Sequence, residues 1–219
     1  MRVLFLAPQP FFTERGTPIA VRRLVEAMSK HGWSVDVLTF HEGADMECRN
    51  VLIIRISGLS WIIDIPPGFS FKKLLCDVFL LFKALRLAGS GAYQYVHAVE
   101  ESAFIAWMIK GIYGIPYVYD MDSSMPDQIV EKHAGLRFLL PVLKWFEARA
   151  VRRAAVTLPV CDALANIAKQ GGAKRVIILR DPPAFSISGK LDSGEKKKQL
   201  GISGTCFMYI GNLETYQGI

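Results

Sequence analysis

RVLFLAPQPFFTERGTPIAVRRLVEAMSKH (residues 2–31) decides the fold. Arg2 to Ala7 is apolar without alternation, as in a strand covered on both faces of a parallel sheet. Pro8 and Pro10 end it, because proline cannot donate to a ladder. Phe11 to Gly16 reads as loop, and Thr17 offers an N-cap oxygen ahead of Pro18, whose fixed backbone angle suits a first helical turn. The helix is expected to reach about His31, with Ala20, Leu24, Ala27, Met28 and His31 on one face and Arg22, Arg23, Glu26 and Lys30 largely on the other. Such a unit puts the free N–H groups of the helix start at the carboxyl edge of the sheet, where open α/β sheets bind ligands. Gly16 would let a ligand approach the backbone closely. No G-x-G-x-x-G occurs, so this is not a dinucleotide fingerprint.

The alternation continues outward. Ser34 to Phe40, Val51 to Ile56, Tyr93 to Ala98, Ile115 to Tyr119, Ala155 to Val160 and Arg175 to Leu179 are strand candidates. Between them lie helical stretches at Phe71 to Ala88, Glu100 to Tyr113, Asp127 to Ala155 (broken near Gly135 and Pro141) and Asp162 to Gln170. The pattern predicts an α/β fold, a Rossmann-like doubly wound parallel sheet with helices on both faces, over residues 1–183. Residues 184–204, rich in Ser, Gly and Lys, read as a linker with a short helical turn. Cys206 to Ile210 running into Gly211 and Asn212 repeats the opening, so residues 205–219 read as the truncated start of a second Rossmann-like domain.

With 219 residues, 51% of them apolar, and a mean hydropathy of +0.26, the chain can bury a full core. A membrane span is not expected, because Asp77, Lys83 and Arg86 interrupt the most apolar stretch short of the run of about 20 residues a span needs. The opening MRVLFLAP is too short for a signal peptide core, and a cytoplasmic protein is expected. Cys48, Cys76, Cys161 and Cys206 lie far apart without C-x-x-C, which points to reduced thiols instead of zinc ligands or disulfides. Residues 144–198 carry twelve Lys or Arg against five Asp or Glu, so with a net charge of +6 overall the rest of the chain is close to neutral. A solvated face, or attraction to an anionic bilayer or phosphates, accounts for it; no nucleic acid partner is expected, since no recognition motif accompanies it. Trp61, Ile62, Ile63, Ile65 and Phe69 lie close to Lys72 and Lys73. They read either as a loop packed on the domain or as a membrane-surface or lipid-acceptor contact.

Chemistry concentrates after the strand Ile115 to Tyr119, where Asp120, Met121, Asp122, Ser123 and Ser124 crowd one strand end. The D-x-D of Asp120 and Asp122 could hold a divalent metal. Hydrogen bonding to substrate hydroxyls, or capping of the helix after Pro126, is the favoured reading. His97 is expected at a carboxyl strand end, opening on the same crevice as Gly16, either as a ligand contact or as a structural histidine. Glu100 and Glu101 at a helix start are accounted for by the helix dipole.

Four stretches in this order resemble a known family: FFTERGTPIAVRRLVEAM (11–28), GIPYVYDMDSSMPDQIV (114–130), ARAVRRAAVTLPV (148–160) and YIGNLETYQGI (209–219). The chain resembles the amino-terminal, acceptor-side half of a family 4 glycosyltransferase of the GT-B fold. The resemblance implies transfer of a sugar from a nucleotide-sugar donor to an acceptor with retention of configuration, without a cofactor or bound metal. Carried over by position, it implies that Gly16 and Thr17, with Arg15 beside them, approach the donor phosphates or the transferred sugar. Gly211 and Asn212 would do so from the other domain. Many relatives place a histidine near the position of Asp122, so the hydrogen bond to the sugar would fall to Asp122 or to His97, with Asp120, Ser123 and Ser124 as further substrate contacts. Without the missing carboxyl-terminal domain the chain is expected to be inactive. A lipid-linked or glycan acceptor fits this reading. The alternatives are a non-catalytic sugar-phosphate or lipid-binding module, or a peripheral module at the inner face of an anionic membrane.

Overall fold

A computed structural model describes residues 1–14, 16–57, 61–66, 70–181 and 193–208. The chain divides into two units, residues 1–181 and 182–219. The first is built on a parallel sheet of β1 (Arg2–Ala7), β2 (Ser34–Thr39), β3 (Val51–Arg55), β4 (Tyr95–Val99), β5 (Tyr117–Met121) and β6 (Val156–Pro159), in the order β3-β2-β1-β4-β5-β6. The order reverses between β1 and β4. Such a switch point opens a crevice at the carboxyl edge.

Both faces of β1 are covered, which is why its sequence does not alternate. Phe5 and Ala7 pack with Val21, Val25 and Met28 of α1 (Gly16–Lys30). Leu4 and Leu6 belong to the opposite core, with α2 (Phe71–Ala88), α3 (Ser102–Tyr113), α5 (Leu140–Arg153) and α6 (Asp162–Gln170). A short helix α4 (Met125–Lys132) and a 3-10 turn (Ala134–Leu139) join β5 to α5. The doubly wound α/β fold expected from the sequence is therefore the one observed.

Several local expectations are corrected. The buried face of α1 is Pro18, Val21, Val25 and Met28, not the face through Ala20, Leu24 and Ala27. The helix already includes Gly16, so Thr17 sits inside the first turn instead of capping it. By contrast, the break expected near Gly135 and Pro141 is present: α4 ends at Lys132, the 3-10 turn spans Ala134–Leu139, and Pro141 lies in the first turn of α5, where a missing N–H costs nothing. The stretch Arg175 to Leu179 makes one bridge, Val176 to Thr157, beside β6 and is not a full strand. In the second unit, α7 (Ser193–Gln199) is the described element, and Cys206 to Met208 form no strand. Arg15, Gly211 and Asn212 lie outside the described residues.

The loop that leads into α1 is tied down from β3. Arg55 donates from Nη1 to the carbonyls of Phe11 (2.6 Å) and Glu42 (2.9 Å), and from Nη2 to Ala44 (2.9 Å) and Asp45. Gly43 closes the same junction with φ +118°, and a Cβ there would stand 2.2 Å from the Phe11 carbonyl oxygen. Gly43→Ala is therefore expected to destabilise the unit by about 2 kcal/mol, through backbone conformation and overlap together. A thermal melt checks it; an unchanged midpoint would show that the two loops can separate freely.

Candidate functional site

At the switch point, the start of α1 faces the ends of β4 and β5. Asp120 lies near the carboxyl end of β5, and Asp122 follows directly after it. Thr17, in the first turn of α1, lies close enough to Asp122, just beyond β5, to favour the charged form of its carboxyl. Burial pushes Asp122 up to about 8, and the charges of Asp120, Glu100 and Asp181 push the same way, while Thr17 pulls against them. Near neutral pH Asp122 therefore carries a proton much of the time and can both donate and accept. Gly16 is exposed, and a Cβ built on it meets nothing within 4 Å.

His97 is not at the edge. The strand begins two residues later than expected and ends one later, at Val99, which puts His97 in its middle, 2% exposed. Its ring stacks on Phe5 at 4.4 Å, and Nε2 lies 3.0 Å from Asp120 Oδ2. His97 thus reaches the crevice only through Asp120. Ser124, 6% exposed, is also drawn inward: its hydroxyl donates to Glu147 Oε2 at 3.2 Å, and Met125 N–H donates to Oε1 at 3.2 Å. Glu147 of α5, and not the Ser124 side chain, therefore holds the start of α4. Burial raises Glu147 to about 7, against the pull of those two bonds. Ser123 is half-buried at the edge.

Sequence reasoning passed over the neighbouring charge knot. Lys73 of α2 lies 2.5 Å from Glu101 Oε1 and 3.6 Å from Glu100 Oε2. Burial pulls the Lys73 ammonium down, but Glu101, Glu100 and Asp77 outweigh it and hold the lysine above its ordinary value. Burial raises Asp77 well above the usual carboxyl range and raises Glu100 as well. Glu100 also has a left-handed backbone, φ 49°, with its N–H bonded to the Asp120 carbonyl at 3.0 Å. The Lys72–Lys73 pair gave no signal for this knot, because the partners come a whole strand later. Among the described residues no group of three or more His, Cys, Asp or Glu is placed to hold a metal ion.

A carboxyl-edge site at the switch of an α/β sheet admits many ligands, and sequence comparison narrows the choice. The model of Glycosyltransferase Family 4 matches residues 15–179. The chain belongs to glycosyltransferase family 4. The matched span starts at the loop into α1 and covers Thr17, Glu100, Asp120 and Asp122. A search of curated proteins finds no sequence match. Among solved structures, sucrose-phosphate synthase from Thermosynechococcus elongatus is similar with a TM-score of 0.63 and 15% identity, over 92% of this chain and 53% of that one. Arabidopsis thaliana UGT89C1 complexed with UDP is similar with a TM-score of 0.52 and 12% identity, over 91% of this chain and 56% of that one. The family 4 chain thus spans about half the length of these structures, and shares with them the Rossmann-like sheet of a GT-B glycosyltransferase.

Proposed function

We propose that this family 4 unit is the acceptor-side half of a retaining glycosyltransferase using a nucleotide-sugar donor. The observation that carries the reading is the family match over residues 15–179, which spans the start of α1 and the carboxyl ends of β4 and β5 at the switch point. Backbone N–H groups at Gly16 and Thr17 approach the donor diphosphate or its sugar, as a helix start suits an anion. Asp122, able to donate and to accept, bonds a sugar or acceptor hydroxyl; Asp120 steadies it from below, braced by His97. Ser123, Arg15, Gly211 and Asn212 are further contacts in this reading.

The carboxyl groups of Asp120, Asp122, Glu100 and Asp181 make this side of the cleft acidic. A leaving diphosphate needs cations and oriented donors, which must come from the other side. The 219 residues alone are accordingly inactive, and transfer by the purified chain with any nucleotide-sugar donor would overturn that. Association with the inner face of an anionic membrane belongs to the same reading. Among the described residues no helix is long and apolar enough to cross a membrane, so contact would be peripheral.

Gly16 gives the direct test. Its Cβ space is empty, so Gly16→Ala should leave the melting temperature within about 2 °C. If the diphosphate passes against this backbone, the same change weakens UDP binding at least about tenfold, as read by amide shift titration. Equal UDP binding by both proteins removes Gly16 from the donor site.

A further inference from the structure

An amphipathic helix on a soluble domain normally turns its polar side outward. Helix α2 does not. Phe71 (87% exposed), Leu74, Val78, Phe79 and Phe82 (67%) form an outward apolar stripe, and Trp61 (71%) and Ile63 extend it in the preceding loop. The other charges on this helix, Lys72, Lys83 and Arg86, are all cationic, while its one acid, Asp77, is turned into the buried knot. Apolar side chains ringed by cations complement an anionic bilayer and not a freely soluble surface.

Beside the stripe runs a groove of about 290 Å³ between α2, α3 and α4. Leu74, Val78, Leu81, Phe104 and Met108 line its length, and Met125 stands at one end. That end, with Ser70 and Glu101, lies at the carboxyl edge of the sheet, where these three helices begin. From Ser70 to Leu81 the helix advances about 16 Å, the span of a medium-length alkyl chain. Its polar floor is Lys73, Asp77 and Glu101, whose opposite charges compensate one another. Met125 is three residues beyond Asp122, and the Glu100 charge is felt at Asp122. Lys73, which lines the groove, lies 3.6 Å from Glu100 Oε2, and the Glu100 N–H donates to the Asp120 carbonyl at 3.0 Å, so this end of the groove abuts the acidic residues at the strand ends. An anionic head group would be repelled there; a neutral head rich in hydroxyls would find acceptors and protonated donors.

We infer that the acceptor is an amphiphile, its hydrocarbon chain lying in the α2–α3–α4 groove and its neutral, hydroxyl-bearing head group reaching Asp122. This rests on the transferase reading for the head-group position, whereas the chain site stands on the groove alone.

The test uses dodecyl β-glucoside carrying a diazirine at the chain terminus, below its micelle concentration, photolysed with the whole 219-residue chain. Saturable adducts are expected on the α2 and α3 peptides that bear Val78, Leu81, Phe104 and Met108. Met108→Trp and Val78→Trp, at exposed groove positions, should each cut the yield at least about tenfold with an unchanged circular dichroism spectrum. Dodecyl phosphate should compete at least about tenfold less well than dodecyl glucoside, and Asp122→Ala should narrow that gap. Adducts scattered over Phe71 and Phe82, or indifferent to both tryptophan variants, would overturn the chain site and leave the groove to a protein partner. Equal or better competition by the phosphate would overturn the head-group assignment. Failure of the Gly16 experiment with UDP would touch neither result.

Discussion

Lys73→Met is expected to cost the fold about 3 to 5 kcal/mol, because breaking a buried ion pair leaves carboxylates with no counter-charge. Lys73 is 8% exposed and lies against Glu101 and Glu100, with Asp77 close enough to raise its pKa. Methionine fills similar space, so the loss is electrostatic and not a cavity. For a unit of this size the melting temperature should fall by about 10 °C or more. Lys72→Met, one residue away and exposed, should change stability by less than about 0.5 kcal/mol. Adding Glu101→Gln to Lys73→Met should restore part of the loss. If the two lysine variants melt together, the knot contributes nothing to stability.

The second large effect is with pH. Asp122 has an ordinary value of 3.8 and is raised to about 8 in the fold by burial and by its acidic neighbours. Between those values the unfolded chain has released a proton that the folded chain keeps. Stability is therefore full below about pH 4, falls as pH rises, and reaches its low plateau above about 8. Glu147, raised by burial from 4.5 to about 7, adds a loss of the same sign within that window, and Asp77 and Glu100 are displaced in the same direction. Taken together, the unit should be less stable at pH 9 than at pH 5 by at least about 3 kcal/mol. Asp122→Asn removes the contribution of Asp122: it should raise the melting temperature at pH 9 and leave it little changed at pH 4. A denaturant midpoint that is flat or rises from pH 5 to pH 9 would contradict this assignment of the buried acids.

The sheet was legible because its strands announce themselves. Arg2 to Ala7 and the run into Asp120 are mainly apolar on both faces; Pro8 stops the first, and the polar cluster from Asp120 to Ser124 stops the second. Asp122 was legible for the same reason, since the end of such a strand has one place to go. What sequence hid was partnership at a distance. Ser124 looked like a substrate contact or a cap because its true partner, Glu147, comes 23 positions later. His97 looked accessible because a strand read as starting two residues and ending one residue too early places a central side chain near the rim. The face of α1 was read too far toward Ala20, Leu24 and Ala27, because alanine and leucine suit a helix surface almost as well as its core.

Glu100 holds a left-handed backbone that a residue with a Cβ adopts at a cost of about 1 kcal/mol, and it adds one more acid to a crowded corner. Glycine there would relax both at once, at the loss of the longer Lys73 contact (3.6 Å), while Lys73 keeps Glu101 at 2.5 Å. A laboratory screen for heat tolerance that never assays sugar transfer should therefore enrich Glu100→Gly, along with Asp122→Asn. The survivors would be sturdier proteins whose crevice has lost its acids, and the positions at which such a screen gains most would mark out the residues that the fold retains for work other than holding itself together.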